Sequence, residues 1–167
     1  MAPLPSQLDA GTPLPGVEVT GEAGAPVSLT ALAVDGPALL FVYKADCPAT
    51  AVAGPVLARF AQLPGLRIFA VSQDAAAETA DFAAACGWAG KVAVLRDPEP
   101  WRASDALGAR VTPTWILVER GGRIAAAAEG WSRADANLLA ARAAALLHLS
   151  PVTVSAEGGA EPPWRPG

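Results

Sequence analysis

Hydrophobic positions fall in short dense runs separated by turn-forming residues. The densest run, Ala38-Leu39-Leu40-Phe41-Val42-Tyr43, contains no charged position, which suits a strand covered on both faces. Residues 66–72 and 92–95 give further strand-like runs, and the segments between them, 50–62 and 75–86, read as helices, the second stopped by Gly87. Asp97 followed by Pro98 reads as a helix start running through Trp101 towards Gly108. Residues 115–118 and 124–128 flank Gly121-Gly122 and predict an antiparallel hairpin, followed by a last helix over 134–147. A leading hairpin pairs 17–19 with 27–29 around Gly21 to Pro26. Residues 1–11 are proline-rich and read as a flexible lead, and 12–149 as a single domain. Pro151, Pro162, Pro163 and Pro166, with Gly158 and Gly159 and no helical stripe, predict a mobile tail over 150–167.

Composition narrows the chemistry. The 167 residues are 52% hydrophobic and 17% charged, enough apolar surface to exclude a wholly disordered chain. A net charge of −4 with Lys44 and Lys91 isolated in sequence argues against a nucleic-acid partner. No apolar run approaches the roughly 20 residues of a membrane span, so no membrane association is expected. The N-terminus shows no basic segment followed by an apolar one, and the expected localisation is cytoplasmic. Cys47 and Cys86 are too few for a disulfide scaffold and, with His148 the sole histidine, too few for a zinc cage. No metal and no cofactor are expected, which leaves thiol chemistry.

Cys47 leaves a buried strand and precedes Pro48, a residue suited to the first helical position, so Cys47 falls at a helix N-cap. Free backbone amides and the helix dipole there stabilise a thiolate. Lys44 adds positive charge nearby and Asp46 opposes it. Glu78 and Asp81, in the helix near the same sheet edge, are general acid–base candidates if buried against Cys47 and otherwise a solvated face.

The order of residues 39–43, Cys47-Pro48-Ala49-Thr50, Pro55, and Thr112-Pro113-Thr114 ahead of an apolar strand resembles the thioredoxin-like redoxins. The leading hairpin, the strand at 92–95 and Asp97 before a helix are more similar to the branch with cytochrome-maturation thioredoxins and the alkyl hydroperoxide reductase/thiol-specific antioxidant proteins. The resemblance implies an α/β three-layer sandwich, a mixed central sheet flanked by helices, with an N-terminal β-hairpin. It implies Cys47 as the attacking thiol, Pro55 as a helix-kinking proline and Pro113 as a cis-proline. Pro48, Thr112, Pro113 and Trp115 are then substrate-binding candidates, and Thr50 a hydroxyl donor to the Cys47 sulfur or a solvent-facing residue.

The departures bear on mechanism. Thr50 stands where thioredoxins carry their second cysteine, Phe41 where many keep a buried acid, and Leu40 and Lys44 where peroxiredoxins have proline and threonine. Cys86 ends a helix about 15 Å from the active edge by helix rise, beyond disulfide reach, and is expected in the core. Three readings stand: a thiol-dependent oxidoreductase using Cys47 alone, with a thiol or disulfide substrate, protein or small, and an external thiol reductant; a one-cysteine peroxidase; and a redox-inactive binding scaffold.

Overall fold

A computed structural model describes residues 8–167; the expectation of a flexible lead falls, for residues 1–7, outside the described residues. Seven strands form one mixed sheet in the order β2-β1-β5-β4-β3-β6-β7. They are β1 (Glu18–Thr20), β2 (Pro26–Ser28), β3 (Ala38–Tyr43), β4 (Arg67–Ser72), β5 (Ala93–Arg96), β6 (Thr114–Val118) and β7 (Ile124–Glu129). β3, β4 and β5 run parallel, while β6 is antiparallel to β3 and β7 to β6. The β1–β2 hairpin joins the far side through Thr20 opposite Arg96.

The unbroken apolar run of β3 is explained by two cores. Leu39, Phe41 and Tyr43 point into one with Trp88, Trp115 and Trp131, while Leu40 and Val42 point into the other with Leu29, Leu107 and Ile116. Period-two alternation carries side chains to opposite faces, so a central strand under two layers must be apolar at every position. Helices α1 (Pro48–Arg59), α2 (Ala76–Ala85) and α4 (Arg133–Leu146) lie on the aromatic face. A 3-10 turn at Leu29–Ala31 and α3 (Arg102–Leu107) cover the other.

Two expectations are corrected. The helix predicted from Asp97-Pro98 begins only at Arg102, because Pro100 disfavours helical geometry at Glu99 and Trp101 takes a positive φ of 57°. Asp97 still caps the helix from upstream, its carboxylate accepting from the Ala103 and Ser104 amides and the Ser104 hydroxyl at 2.7–3.1 Å. Residues 150–167, expected as a mobile tail, pack on the domain instead. Val154 and Ser155 are buried. The Asn137 side chain donates to Ser155 O and accepts from the amides of Val154 and Ser155, and Arg59 donates to Val154 O. A short sheet pairs β8 (Trp131–Ser132) with β9 (Trp164–Arg165). The segment has no local periodicity; distant side chains satisfy its backbone.

Candidate functional site at the end of the central strands

Pairing brings the site together. β3 ends at Tyr43, opposite Ser72 of parallel β4, and because β6 is antiparallel its first residue, Thr114, lies opposite Val42. The Cys47 turn and the Thr112-Pro113 turn therefore share one sheet edge. The Cys47 turn is fixed by the Cys47 amide donating to Lys44 O and by the Ala45 amide donating to the Asp74 carboxylate at 2.7 Å. Asp74 went unrecognised in the sequence; an acid two residues beyond a parallel neighbour strand is its only signal.

Cys47 is the N-cap of α1 with an extended backbone (φ −78°, ψ 125°), and Pro48 follows at the first helical position. The Cys47 thiol donates to Thr112 O at 3.1 Å, and the Thr112–Pro113 peptide is cis. Burial works against a Cys47 thiolate. The Thr50 backbone N–H, the Thr112 and Thr50 side chains and the Ala49 N–H outweigh it, and the Cys47 pKa lies below the ordinary thiol value. Lys44 and Asp46 form an exposed pair at 4.0 Å.

Thr50 is fully buried and its hydroxyl has no hydrogen-bond partner. It lies one helical turn from Cys47 and makes no hydrogen bond to the resting thiol. The alternative of a solvent-facing Thr50 is thereby excluded.

Other candidates separate. Pro48 is exposed, Thr112 half-buried and Pro113 buried. Trp115, a candidate for the groove or for the core, is 2% exposed, its indole donating to Gly130 O at 3.0 Å and its ring edge-on to Phe41; it is a core residue and cannot line a substrate surface. Glu78 and Asp81 are exposed on α2. Cys86 is a free thiol capping the C-terminal end of α2, and an added Cβ on Gly54 of α1 would lie 2.6 Å from its sulfur. Gly54 is seven residues along α1 from Cys47, about 10 Å by helix rise. Burial pushes the Cys86 thiol up to about 11. Among the described residues, no group of His, Cys, Asp or Glu side chains is placed to hold a metal ion, and no helix is long and apolar enough to cross a membrane.

No protein-family model and no curated protein matches the sequence. Solved structures do. A Chlorobium tepidum protein assigned as thiol:disulfide interchange protein DsbE superposes with a TM-score of 0.71 at 22% identity, covering 84% of this chain and 99% of that one. A secreted Mycobacterium tuberculosis disulfide oxidoreductase homologous to E. coli DsbE gives 0.64 at 18% identity, over 78% and 96% of the two chains. M. tuberculosis DsbF gives 0.67 at 20% identity, over 86% and 99%. With a mixed sheet between helical layers and such neighbours, the chain has the thioredoxin-like fold shared by these thiol-disulfide oxidoreductases.

Proposed function

We propose that the protein is a single-cysteine thiol-disulfide oxidoreductase acting through Cys47. The observation that carries this reading is the pairing of an N-cap thiol of lowered pKa with the buried, unpartnered Thr50 hydroxyl. A buried orphan hydroxyl is destabilising, and a thiolate at Cys47 gives this one an acceptor.

In the reaction, the Cys47 thiolate attacks one sulfur of a disulfide. A Cys47–substrate S–S bond forms as the substrate S–S bond breaks, and the second substrate sulfur leaves as a thiolate that takes up a proton from water. An external thiolate then attacks the substrate sulfur of the mixed disulfide, expelling the Cys47 thiolate, and a second external thiolate attacks the external sulfur of the disulfide so formed, releasing the substrate thiolate; one disulfide is reduced and two external thiols are oxidised. Thr50 at the second-cysteine position makes resolution intermolecular. Cys86, half-buried beside Gly54 with a raised pKa, is unsuited to resolve the intermediate. A thiol-rich compartment such as the cytoplasm is part of this proposal.

Treating the native protein with an aromatic disulfide such as 5,5′-dithiobis(2-nitrobenzoate) should release one thiolate per chain, all of it lost in Cys47→Ser, and added glutathione should regenerate the free thiol. An unreactive native Cys47, or a mixed disulfide that glutathione leaves intact, would contradict the reading.

A further inference from the structure

We infer that residues 161–167 fill the edge along which a polypeptide would approach Cys47, so that the substrate class of this site is a low-molecular-weight disulfide. The inference rests on the thiol-exchange reading and deepens it. Thr112 O lies 3.1 Å from the Cys47 sulfur, so a polypeptide whose disulfide reaches that sulfur must carry its backbone past Thr112. Backbone pairing at such an edge is how an extended peptide gains affinity.

That space is occupied. β9 pairs antiparallel with β8, Arg165 opposite Trp131 and Trp164 opposite Ser132. The segment continues past Gly130, where an added Cβ would lie 2.9 Å from Gly167 N and 3.1 Å from Arg165 O. Gly130 has a φ of +69° and its amide donates to Pro113 O, so this strand joins directly onto the proline turn. At Gly167 any side chain would collide with Val111 Cγ1 and Thr112 O. The end of the occupant thus lies beside the same carbonyl that accepts from Cys47, too close to it for a side chain.

The segment is held from both sides. The Trp131 indole donates to Pro162 O, the Arg133 amide to Pro163 O, and the Arg133 guanidinium to Glu161 O. The Glu161 carboxylate takes an ion pair from Arg59 and a hydrogen bond from Ser155. β9 itself is exposed, with Trp164 at 66%, as expected of a strand lying over the surface. Cys47 stays partly accessible beside it, which leaves room for a compact disulfide.

Two probes with one leaving group separate the possibilities: 5,5′-dithiobis(2-nitrobenzoate), and an extended cysteine-containing peptide activated as its mixed disulfide with thionitrobenzoate. In each, Cys47 expels thionitrobenzoate and its appearance gives the rate. The intact protein should react readily with the small probe and slowly with the peptide. Deleting 161–167 should speed the peptide reaction about tenfold, as expected for an edge regaining a pair of backbone hydrogen bonds, with the small-probe rate unchanged within about twofold. An unchanged peptide-to-small ratio overturns the inference while leaving thiol exchange intact. A small probe that reacts only after the deletion overturns the size assignment, and one that reacts with neither protein overturns the underlying reading as well. Should the deletion unfold the chain, Gly167→Leu lifts only the end of the segment off Thr112. It too should raise the ratio, and an unchanged ratio in that folded variant counts against the inference.

Discussion

A buried hydroxyl without a partner costs about 1–3 kcal/mol, and Thr50 carries one a helical turn from Cys47. Thr50→Val, which keeps the shape and removes the oxygen, should leave stability unchanged or raise it by about 1 kcal/mol in urea unfolding. A loss of stability would mean that the hydroxyl is already satisfied. Cys86 shows the opposite bias. Its folded pKa of about 11 exceeds the ordinary thiol value near 8.5. As pH rises through that window the unfolded state releases the proton first and binds fewer protons, so stability falls. Cys86→Ala should flatten that alkaline decline, measured as urea midpoints stepped through the window; an equal decline in the variant would refute it. The N-cap place of Cys47 and the first-turn place of Pro48 were legible because a strand end and an N1 proline leave local marks, whereas the cis peptide at Pro113 came with the family resemblance alone. Trp115 stayed open between groove and core in the sequence, since nothing local separates an aromatic side chain in a groove from one in a second core.

At the scale of elements, α1 and α2 meet at Gly54, where a Cβ would lie 2.6 Å from Cys86 Sγ and 2.9 Å from Phe82 Cζ. Alanine elsewhere in a helix improves on glycine by about 1 kcal/mol. At 54 overpacking opposes that gain, because the cysteine is short and Phe82 stacks on Tyr43 at 5.0 Å. Gly54→Ala should therefore destabilise by about 1–2 kcal/mol net, and Cys86→Ala in the same chain should recover part of it. A stabilised Gly54→Ala would show that the helices separate freely. The central elements were legible because their patterns are local: β3 was read with the bounds it has, and β4, β6 and β7 within a residue or two. The α3 start was misplaced because Pro98 is compatible with a helix start, whereas Pro100 sits two residues further into the same stretch.

Across the whole molecule, the least legible part is 150–167, whose order depends on Arg59, Trp131, Arg133 and Asn137, up to 102 residues away for Arg59 and Glu161. The hydrogen bond from Arg59, reinforced by Ser155 and by the Arg59 charge, outweighs desolvation and holds the Glu161 carboxyl below its ordinary range. A depressed folded pKa contributes stability that is complete above the ordinary value near 4.3 and is lost as pH falls through the lowered one. Amide exchange at Arg133, whose N–H donates to Pro163 O, should accelerate over that acid window before global unfolding. Glu161→Gln should remove the pH step. The same step in the variant would place the control elsewhere.

Cys47 is proposed as a stabilised thiolate that Thr50 helps to hold, and the rate of Cys47 alkylation by iodoacetamide as a function of pH measures that directly. The predicted profile has a midpoint below the ordinary thiol value, is absent in Cys47→Ser, and moves to higher pH in Thr50→Val without loss of fold. A midpoint at or above the ordinary value, or one that Thr50→Val leaves in place, would contradict it.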